Sequence, residues 1–448
     1  MPAVAFYTLG CKVNFYDTEA IWQLFKQEGY DQVDFDEQTA DVYLINTCTV
    51  TNTGDKKSRQ IIRRAIRRNP DAIVAVTGCY AQTSPAEILD IPGVDLVVGT
   101  QDRDKILPYV KQIQESRQPV NAVRNIMKTR VFEEMDVPDF ADRTRAFLKI
   151  QDGCNNFCTF CIIPWSRGLS RSREASSIIA QAHQLVEAGY KEIVLTGIHT
   201  GGYGDDLENY DLSDLLWDLE KVDGLERIRI SSIEASQIDE KMLDVLKRSR
   251  KLVRHFHIPL QAGDDTVLKR MRRKYTTEEF YNKMLMIHKA MPDVAITTDV
   301  IVGFPGETDE MFRNGYNLMK KIGFSEMHVF PYSKRTGTPA ARMEDQVDED
   351  VKNARVHELI ELSEQMQLAY AQKFVGQVLE VIPEGEPKGL KNSGRVHGYS
   401  DNYIDIVFEG STELNGQVCQ VLLTEAGVNE SQGKLIRVVD SSLRAAAL

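Results

Sequence analysis

The sequence has no long hydrophobic run. Its 448 residues contain no apolar stretch near the roughly 18 residues that a membrane span requires. The start, MPAVAFYTLGC, has no basic segment ahead of an apolar core, so a secretory signal is not indicated. We therefore expect no membrane association and a cytoplasmic location. Hydrophobic residues at 42% and charged residues at 27% exclude collagen-like, mucin-like and wholly disordered chains.

An excess of positive charge is also missing. Fifty-four Lys and Arg against 66 Asp and Glu give a net charge of -12, which argues against a polyanion binder held by bulk charge. A nucleic-acid partner would have to bind to local basic patches. Cysteine is sparse as well. An odd count of seven, with wide and uneven spacing, fits reduced thiols or metal ligands better than a disulfide framework.

No internal repeat is present, but the pattern of apolar runs changes twice and predicts three domains. Residues 1–115 alternate continuous apolar runs with helical stretches, which is typical of a parallel α/β sheet covered on both faces. Residues 116–142 resemble a linker. Residues 143–372 hold six strand candidates separated by helices, too few for an eight-unit barrel but enough for a partial (βα)6 barrel. Residues 373–441 contain short strands joined by turns and predict a small all-β barrel.

Three closely spaced cysteines follow the first predicted barrel strand. Cys154, Cys158 and Cys161 form a C-x3-C-x2-C arrangement in GCNNFCTFCIIPWSRG. Three thiolates can bind three irons of a 4Fe-4S cluster and leave the fourth iron open to a substrate. The alternatives, a zinc site or an electron-carrying ferredoxin, would want a fourth protein ligand nearby. No fourth ligand is visible nearby, since the next cysteine is Cys419. Cys419 lies in an apolar run, which predicts a position in the core of the last domain.

Three further cysteines lie in the first predicted domain. Cys11, Cys48 and Cys79 each follow an apolar strand run, in LGC, NTC and TGC. The carboxyl ends of parallel strands meet at one edge of a sheet, where ligands bind, so these distant thiols can meet at one point. Two interpretations stay open at this stage. The thiols form a second metal site, or they are buried structural cysteines, a common fate of free thiols.

The chain resembles the radical S-adenosylmethionine (SAM) superfamily, and within it the methylthiotransferases. The resemblance rests on the C-x3-C-x2-C motif in a partial barrel and continues in TGIHTGGYG, SSIE, HIPLQAGDDTVLKRMRRKYT, TTDVIVGFPGET and VFPYSKRTGTPAARM. It implies SAM and two 4Fe-4S clusters as cofactors. The cluster on the barrel cysteines would cleave SAM to a 5′-deoxyadenosyl radical, and the cluster on the first-domain cysteines would supply sulfur. It also implies that the last domain is a TRAM-like (OB-like) RNA-binding barrel.

The resemblance further implies where SAM binds. The predicted contacts lie at barrel strand ends: Thr196 and Gly197 near the methionine ammonium, Ser232 and Glu234 near the ribose or methionine, and Asp299, Ile301 and the turn from Gly303 near adenine. Turn geometry alone also explains the glycines, and structural carboxylates remain an alternative for Glu234 and Asp299.

Three arginines follow the cluster motif. Arg167, Arg171 and Arg173 are candidates for binding SAM, substrate or tRNA phosphate, because a guanidinium suits carboxylates and phosphates. Simple surface charge is the alternative.

Two stretches are candidates for RNA contact. The predicted helix in DKKSRQIIRRAIRRNP carries seven cations, and pairs four residues apart form a basic face, although such a run is often only a solvated face. The predicted contacts on it are Lys56, Lys57, Arg63, Arg64, Arg67 and Arg68. Residues 371–448 hold seven Lys or Arg against ten Asp or Glu, so RNA contact there would depend on shape and on local side chains. Those candidates are Lys388, Lys391, Arg395, Tyr399 and Tyr403.

Together the resemblance implies a tRNA methylthiotransferase that replaces the C2 hydrogen of an adenine by a methylthio group. The stretch CNNFCTFCIIPWSRGLSRSR is most similar to the subgroup that acts on N6-threonylcarbamoyladenosine beside the anticodon. The alternatives are isopentenyladenosine in tRNA, an aspartate of a ribosomal protein, and a non-enzymatic iron-sulfur RNA-binding protein. The expected partners are the tRNA anticodon stem-loop, an electron donor such as flavodoxin or ferredoxin, and a sulfur source.

Overall fold

A computed structural model describes residues 1–140 and 143–439 of the chain. Within these residues the elements form a parallel sheet, a six-stranded partial barrel in two halves, and a closed small barrel. The predicted fold class, an α/β protein with a C-terminal all-β barrel, is therefore confirmed. Residues 141 and 142 of the predicted linker, and 440 and 441 of the predicted last domain, lie outside the described residues. No helix in the described part of the chain is long and apolar enough to cross a membrane.

The first sheet contains six parallel strands in the order β2-β1-β3-β4-β5-β6. Strands β3 and β4 are buried along their whole length, as their uninterrupted apolar sequences predict. The last strand, β6, extends this sheet into the stretch that resembles a linker. The sequence did not indicate it, because a strand of two residues is too short to give a recognisable pattern. The elements are β1 Ala3–Thr8, α1 Lys12–Gln27, β2 Asp31–Gln32, β3 Val42–Thr47, α2 Asn52–Arg68, β4 Ile73–Gly78, α3 Cys79–Thr83, α4 Pro85–Leu89, β5 Leu96–Val97, α5 Ile106–Ser116 and β6 Val120–Asn121.

Helices cover both faces of this sheet. Residues of α1 and α5, such as Phe25 and Val110, pack with Leu44 on one face. Residues of α2, such as Ile62, pack with Ile45 on the other. The carboxyl ends of β1, β3 and β4 are thereby left as the edge at which a ligand can approach.

The partial barrel is built from two three-stranded parallel sheets, β11-β10-β7 and β12-β13-β14. A bridge between Ile228 and Leu252 and the neighbouring strands β11 and β12 join the halves. The elements are β7 Ala146–Lys149, β8 Gln151–Asp152, α6 Ile163–Arg167, β9 Arg171–Ser172, α7 Ala175–Glu187, β10 Glu192–Thr196, α8 Leu212–Glu220, β11 Arg227–Ile230, α9 Glu240–Arg248, β12 His255–His257, α10 Asp265–Arg270, α11 Thr277–Ala290, β13 Ala295–Val302, α12 Asp309–Ile322, β14 Glu326–Pro331 and α13 Glu349–Gln372.

The last barrel closes in the order β15-β16-β17-β19-β18 around a core that contains Cys419, as its apolar surroundings predict. Its strands are β15 Val378–Gly385, β16 Arg395–Ser400, β17 Asp405–Glu409, β18 Cys419–Glu425 and β19 Ser431–Val438. Short 3-10 turns lie at Arg103–Lys105, Ile126–Lys128, Thr200–Gly202, Ala235–Gln237, Pro339–Arg342 and Thr412–Leu414.

A column of rings docks the last barrel onto the partial barrel. The Tyr403 ring stacks on His255 at 3.9 Å and on Tyr399 at 4.6 Å between ring centroids. The guanidinium groups of Arg229 and Arg145 lie over Tyr403 and Tyr399. The two tyrosines proposed from the sequence as RNA contacts are thus packed in an interface within the chain.

Candidate active site

The first-domain thiol site, which we define as Cys11, Cys48 and Cys79, lies at the carboxyl edge of the parallel sheet. Cys11 caps the start of α1, Cys48 follows β3 directly, and Cys79 begins α3 at the end of β4. The three thiols are close enough to interact electrostatically. Adjacent strands β1, β3 and β4 therefore bring together residues that are more than 30 positions apart in sequence.

Two glycines allow this convergence. Gly78 has a φ of 96°, and a Cβ there would lie 2.4 Å from the Thr47 carbonyl oxygen. Gly10 has a φ of 103°, and a Cβ there would lie 3.2 Å from the Cys48 sulfur. Both positions thus require glycine, because a side chain would strain the backbone and displace the strand ends that present the thiols.

The barrel thiol site, which we define as Cys154, Cys158 and Cys161, lies on the loop between β8 and α6. The Cys154 backbone N–H donates to the Gly168 carbonyl at 3.0 Å, and the Cys161 N–H donates to the Cys158 carbonyl at 3.0 Å. Cys154 and Cys158 are also close enough to Cys161 to interact with it electrostatically. The loop therefore gathers three thiols at the end of the first barrel strands, where barrel active sites lie.

The donor atoms of the thiol sites bear on which metal group they can hold. Among the described residues, only His257, Asp299 and His328 offer three ligand atoms within 4.8 Å of one another, so neither thiol site is contracted around one ion. Three thiolates that bind three different irons stand farther apart than three ligands of one zinc. The donor set of each site, three thiolates, is the one that a 4Fe-4S cluster with one open iron requires.

The His257 group is explained by hydrogen bonds within the barrel. The Nε2 atom of His257 lies 3.1 Å from the Asp299 carboxylate, and its Nδ1 atom lies 3.0 Å from the Thr297 hydroxyl. Both ring nitrogens thus have protein partners, which fixes the orientation of the ring and of Asp299.

Burial disfavours the thiolate form of three of these cysteines, Cys48, Cys154 and Cys161. Burial raises the pKa of Cys48 and of Cys154 to about 11 and that of Cys161 to about 12. Arg167 opposes this effect at Cys48, and Arg273 opposes it at Cys154 and Cys161. Metal uptake at these sites must therefore release protons, and the two arginines favour the thiolate form.

One buried arginine donates to a sulfur at each site. The Arg167 Nε atom lies 3.3 Å from the Cys79 sulfur, and an Arg273 Nη atom lies 3.3 Å from the Cys158 sulfur. Arg273 also pairs with the Glu234 carboxylate. Arg273 is a site residue that the sequence analysis did not single out, although it lies within the motif HIPLQAGDDTVLKRMRRKYT.

The three arginines after the cluster motif are not on the surface. The relative exposure of Arg167, Arg171 and Arg173 is 2% or less. Arg171 donates to the carbonyl oxygens of Arg167 and Leu169, and Arg173 pairs with Glu134. The surface-charge interpretation is wrong for all three, and no phosphate of a tRNA can reach them in this structure.

A polar cavity of about 130 Å³ lies beside Cys158. Glu234, Arg273 and His199 line it with Asn156. Carboxylate, guanidinium and amide groups together suit the ammonium and carboxylate of an amino acid. The cavity therefore fits the methionine part of SAM.

A mostly apolar cavity of about 260 Å³ lies beside Cys161. Ile301 and Asp299 line it from the barrel, and Val50 and Thr51 line it from the loop after Cys48. An apolar slot with a carboxylate suits a planar base with an amino group. Residues of both domains form its wall, so this cavity lies at the interface between the first domain and the barrel.

The other predicted SAM residues do not all reach these cavities. Thr196 is buried, and its hydroxyl donates to the Val194 carbonyl at 3.2 Å. Gly197 packs against Gln151. Gly303 donates its N–H to Glu307 within its own turn, and the side chain of Lys352 fills the space beside it. Ser232 is half-buried at the end of β11 and lines neither cavity.

An open groove of about 970 Å³ runs between the first domain and the barrel. Gln82 and Thr83, just after Cys79, line one side, and Ile162, just after Cys161, lines the other. Trp165 lies in the groove with 49% of its surface exposed, and its ring meets Phe157 edge-on at 6.0 Å. The groove is therefore large enough to admit a substrate between the first domain and the barrel, and it offers an aromatic surface there.

The predicted basic helix is α2, and only part of its charge is free. Arg64 pairs with Asp36, and Arg68 donates to the Gln38 carbonyl at 3.2 Å. The other four predicted contacts are exposed: Lys56, Lys57, Arg63 and Arg67. In the last barrel Lys388 and Lys391 are exposed, whereas Arg395 bonds the Gln432 side chain.

Comparison with known proteins places the fold. Residues 148–319 match the profile of the Radical SAM superfamily, and residues 3–99 match an uncharacterized protein family, UPF0004. A radical SAM methyltransferase, TsrM from Kitasatospora setae, superposes with a TM-score of 0.57 at 15% identity, over 84% of this chain and 79% of that one. The barrel, its three-cysteine loop and these matches define a radical SAM protein.

Sequence relatives narrow this class. The threonylcarbamoyladenosine tRNA methylthiotransferase MtaB of Bacillus subtilis is 63% identical, over 99% of this chain and 98% of the relative. The protein of that name from Aquifex aeolicus is 41% identical, over 94% and 100%. A tRNA-2-methylthio-N(6)-dimethylallyladenosine synthase from Carboxydothermus hydrogenoformans is 36% identical, over 96% and 98%. The chain belongs to the tRNA methylthiotransferase family.

Proposed function

We propose that the protein converts N6-threonylcarbamoyladenosine beside the anticodon of tRNA to its 2-methylthio derivative by radical SAM chemistry. The observation that carries the proposal is the cavity and groove between the two domains that hold the thiol sites, in a chain whose 63% identical relative is named for this reaction. Cys158 and Cys161 of the barrel thiol site line the cavities that fit SAM, and Gln82 and Thr83, which follow Cys79 of the other site, line the groove. A transferred sulfur and a SAM molecule can therefore approach one adenine.

The two thiol sites fit two 4Fe-4S clusters, one held by the barrel thiol site and one by the first-domain thiol site. When bound, the clusters supply one-electron reductive cleavage of SAM and a sulfur atom for insertion. Glu234 and Arg273 bind the amino-acid end of SAM in the polar cavity, and Ile301 and Asp299 bind its base in the apolar cavity. The remaining predicted SAM residues, Thr196, Gly197, Ser232 and Gly303, shape the strand ends around these cavities.

The groove receives the anticodon loop. Its volume of about 970 Å³, its position between the two domains and the exposed ring of Trp165 support an unstacked nucleotide there, since single-stranded RNA is read by stacking on aromatic side chains. The exposed cations of α2 and Lys391 of the TRAM-like barrel contact phosphates. Arg64, Arg68 and Arg395 assist only where their present partners are exchanged for phosphate.

We also propose a cellular location, two partners and the domain boundaries. The protein acts in the cytoplasm, and it requires an electron donor such as flavodoxin or ferredoxin and a separate source of sulfur. We place the domain boundaries at 1–115, 116–142, 143–372 and 373–441, with the short strand β6 completing the first sheet from within the linker.

The substrate is tested with tRNA that carries one modification at a time. The anaerobically reconstituted protein is given SAM, a reductant and tRNA with either threonylcarbamoyladenosine or isopentenyladenosine, and the nucleosides are analysed by mass spectrometry. We expect the 2-methylthio product from the first tRNA only. Product from isopentenyladenosine alone would contradict the substrate assignment, and absence of 5′-deoxyadenosine with either would contradict radical SAM chemistry.

A further inference from the structure

One arginine connects the two thiol sites. Arg167 ends α6, six residues after Cys161 of the barrel thiol site, and its Nε atom donates to Cys79 of the first-domain thiol site at 3.3 Å. Helix α6 lies against α3, which begins at Cys79. A second contact between the domains is adjacent, where the Thr100 hydroxyl donates to the Ser166 carbonyl at 2.6 Å. The loop that carries one set of thiols is thus fastened to the other set.

The guanidinium of Arg167 is completely buried and has a partner at every nitrogen. One Nη atom lies 2.8 Å from Asp17 and 3.2 Å from Asp152, and the other bonds the Asn14 side chain. Asp17 and Asn14 belong to α1, whereas Asp152 belongs to the barrel. These contacts fix the plane of the guanidinium, so that its Nε–H is aimed at the Cys79 sulfur.

The buried charged side chains around Arg167 carry a net charge of +1. The side chains of this cluster are nearly inaccessible to solvent. Its cations are Arg103, Lys149, Arg167 and Arg171, and its carboxylates are Asp17, Asp152 and Glu133. An unbalanced buried charge is costly unless an opposite charge lies nearby. The neighbouring group that can supply the balancing negative charge is the Cys79 sulfur.

We propose that Arg167 is a positioning residue of the first-domain thiol site, which holds Cys79 against the barrel and raises the reduction potential of the cluster bound there. The inference rests on the proposed presence of that cluster and not on the identity of the tRNA substrate. Net charge and hydrogen bonds to the sulfurs set the potential of an iron-sulfur cluster. A buried cation that donates to a ligand sulfur stabilises the more negative, reduced form.

The test measures the potential of this cluster alone. In the full chain with Cys154, Cys158 and Cys161 changed to Ala, only the first-domain thiol site can hold a cluster. Its midpoint potential is followed by electron paramagnetic resonance during a redox titration, with no SAM or tRNA present. The result is therefore independent of the substrate. Iron content and thermal unfolding are measured on the same samples.

Arg167→Gln should lower the potential by at least the amount for a tenfold change in the one-electron equilibrium, about 59 mV. Arg167→Lys, which keeps the charge but not the planar donor, should give a smaller shift. Asp152→Asn should shift the potential in the opposite direction, because it removes a negative charge from the same cluster of side chains. A merely structural role would not produce opposite signs.

Arg173→Lys is the matched control, since Arg173 is equally buried in the segment after the cluster motif, but its partners are Glu134, Ser177 and Gln181 and not a cysteine sulfur. It should leave the potential unchanged. Loss of iron in Arg167→Gln with unchanged unfolding would support the positioning role. If that variant does not fold, the signs of the Arg167→Lys and Asp152→Asn shifts decide. An unchanged potential in a folded, iron-loaded Arg167 variant, or shifts of the same sign in the Arg167 and Asp152 variants, would overturn the proposal.

Discussion

At the scale of the residue, Trp165 is an exposed aromatic side chain that we expect to stack on a base of the tRNA. About half of its surface is exposed, in the groove between the first domain and the barrel. Stacking of a base on an aromatic ring is worth about 1–3 kcal/mol. We therefore expect Trp165→Ala to weaken tRNA binding by about tenfold, whereas Trp165→Phe keeps most of the affinity. Filter binding and the KM for tRNA measure both variants.

SAM cleavage in the absence of tRNA is the control for this change. It should be the same in Trp165→Ala and the parent, because Trp165 lines neither of the cavities assigned to SAM. Equal tRNA affinity in Trp165→Ala and the parent would show that the ring does not stack on a base.

The cysteines could be predicted from the sequence, whereas the arginines could not. A three-cysteine loop and a thiol at each of three strand ends follow from local spacing and from the geometry of parallel sheets. The burial of Arg167 depends on Asp17, 150 positions away, and that of Arg103 depends on Glu133 and Asp17. Local sequence shows the charge of a guanidinium but not the partner that the fold brings to it.

At the scale of the element, the basic helix α2 separates into two sets of cations. Each phosphate contact contributes about one to the slope of log K against log salt. Arg63→Gln with Arg67→Gln removes two exposed cations, and we expect the slope for tRNA to fall by as much as about two. Arg64→Gln with Arg68→Gln is the matched pair on the same helix, and its effect should be smaller because Asp36 and the Gln38 carbonyl already hold these side chains. Equal slopes in all proteins would make α2 a solvated face.

Strands and helices of the fold could largely be predicted from periodicity, because buried parallel strands have continuous apolar sequences. The short strand β6 could not, since two residues carry no pattern. The packing of Tyr399 and Tyr403 between the last barrel and the partial barrel could not be predicted either. Aromatic residues in a predicted RNA-binding barrel suggest stacking on bases, but here the partner of Tyr403 is His255 of the partial barrel.

At the scale of the whole molecule, this docking contact should depend on pH. Burial, together with Arg229 and His257, lowers the pKa of His255 well below its usual value. The unfolded chain takes up a proton at this residue below about pH 6.5, and the folded chain does not. Stability is therefore lost as the pH falls below that value, by about 1.4 kcal/mol per pH unit.

Urea unfolding at about pH 7.5 and about pH 5.5 measures this effect. His255→Asn should remove part of the loss of stability at the lower pH, whereas His183→Asn, at an exposed position, should not. An identical loss in the parent and in His255→Asn would show that the group responsible lies elsewhere.

We infer that two thiol sites on different domains divide the work of SAM cleavage and sulfur supply. The most direct test replaces Cys11, Cys48 and Cys79 with Ala, keeps the barrel thiol site, and measures 5′-deoxyadenosine and methylthiolated nucleoside in the same reaction with tRNA. The iron content of the variant shows whether the barrel thiol site is still loaded. We expect 5′-deoxyadenosine without the methylthio product. Formation of that product at a rate near the parent's would contradict this division of work.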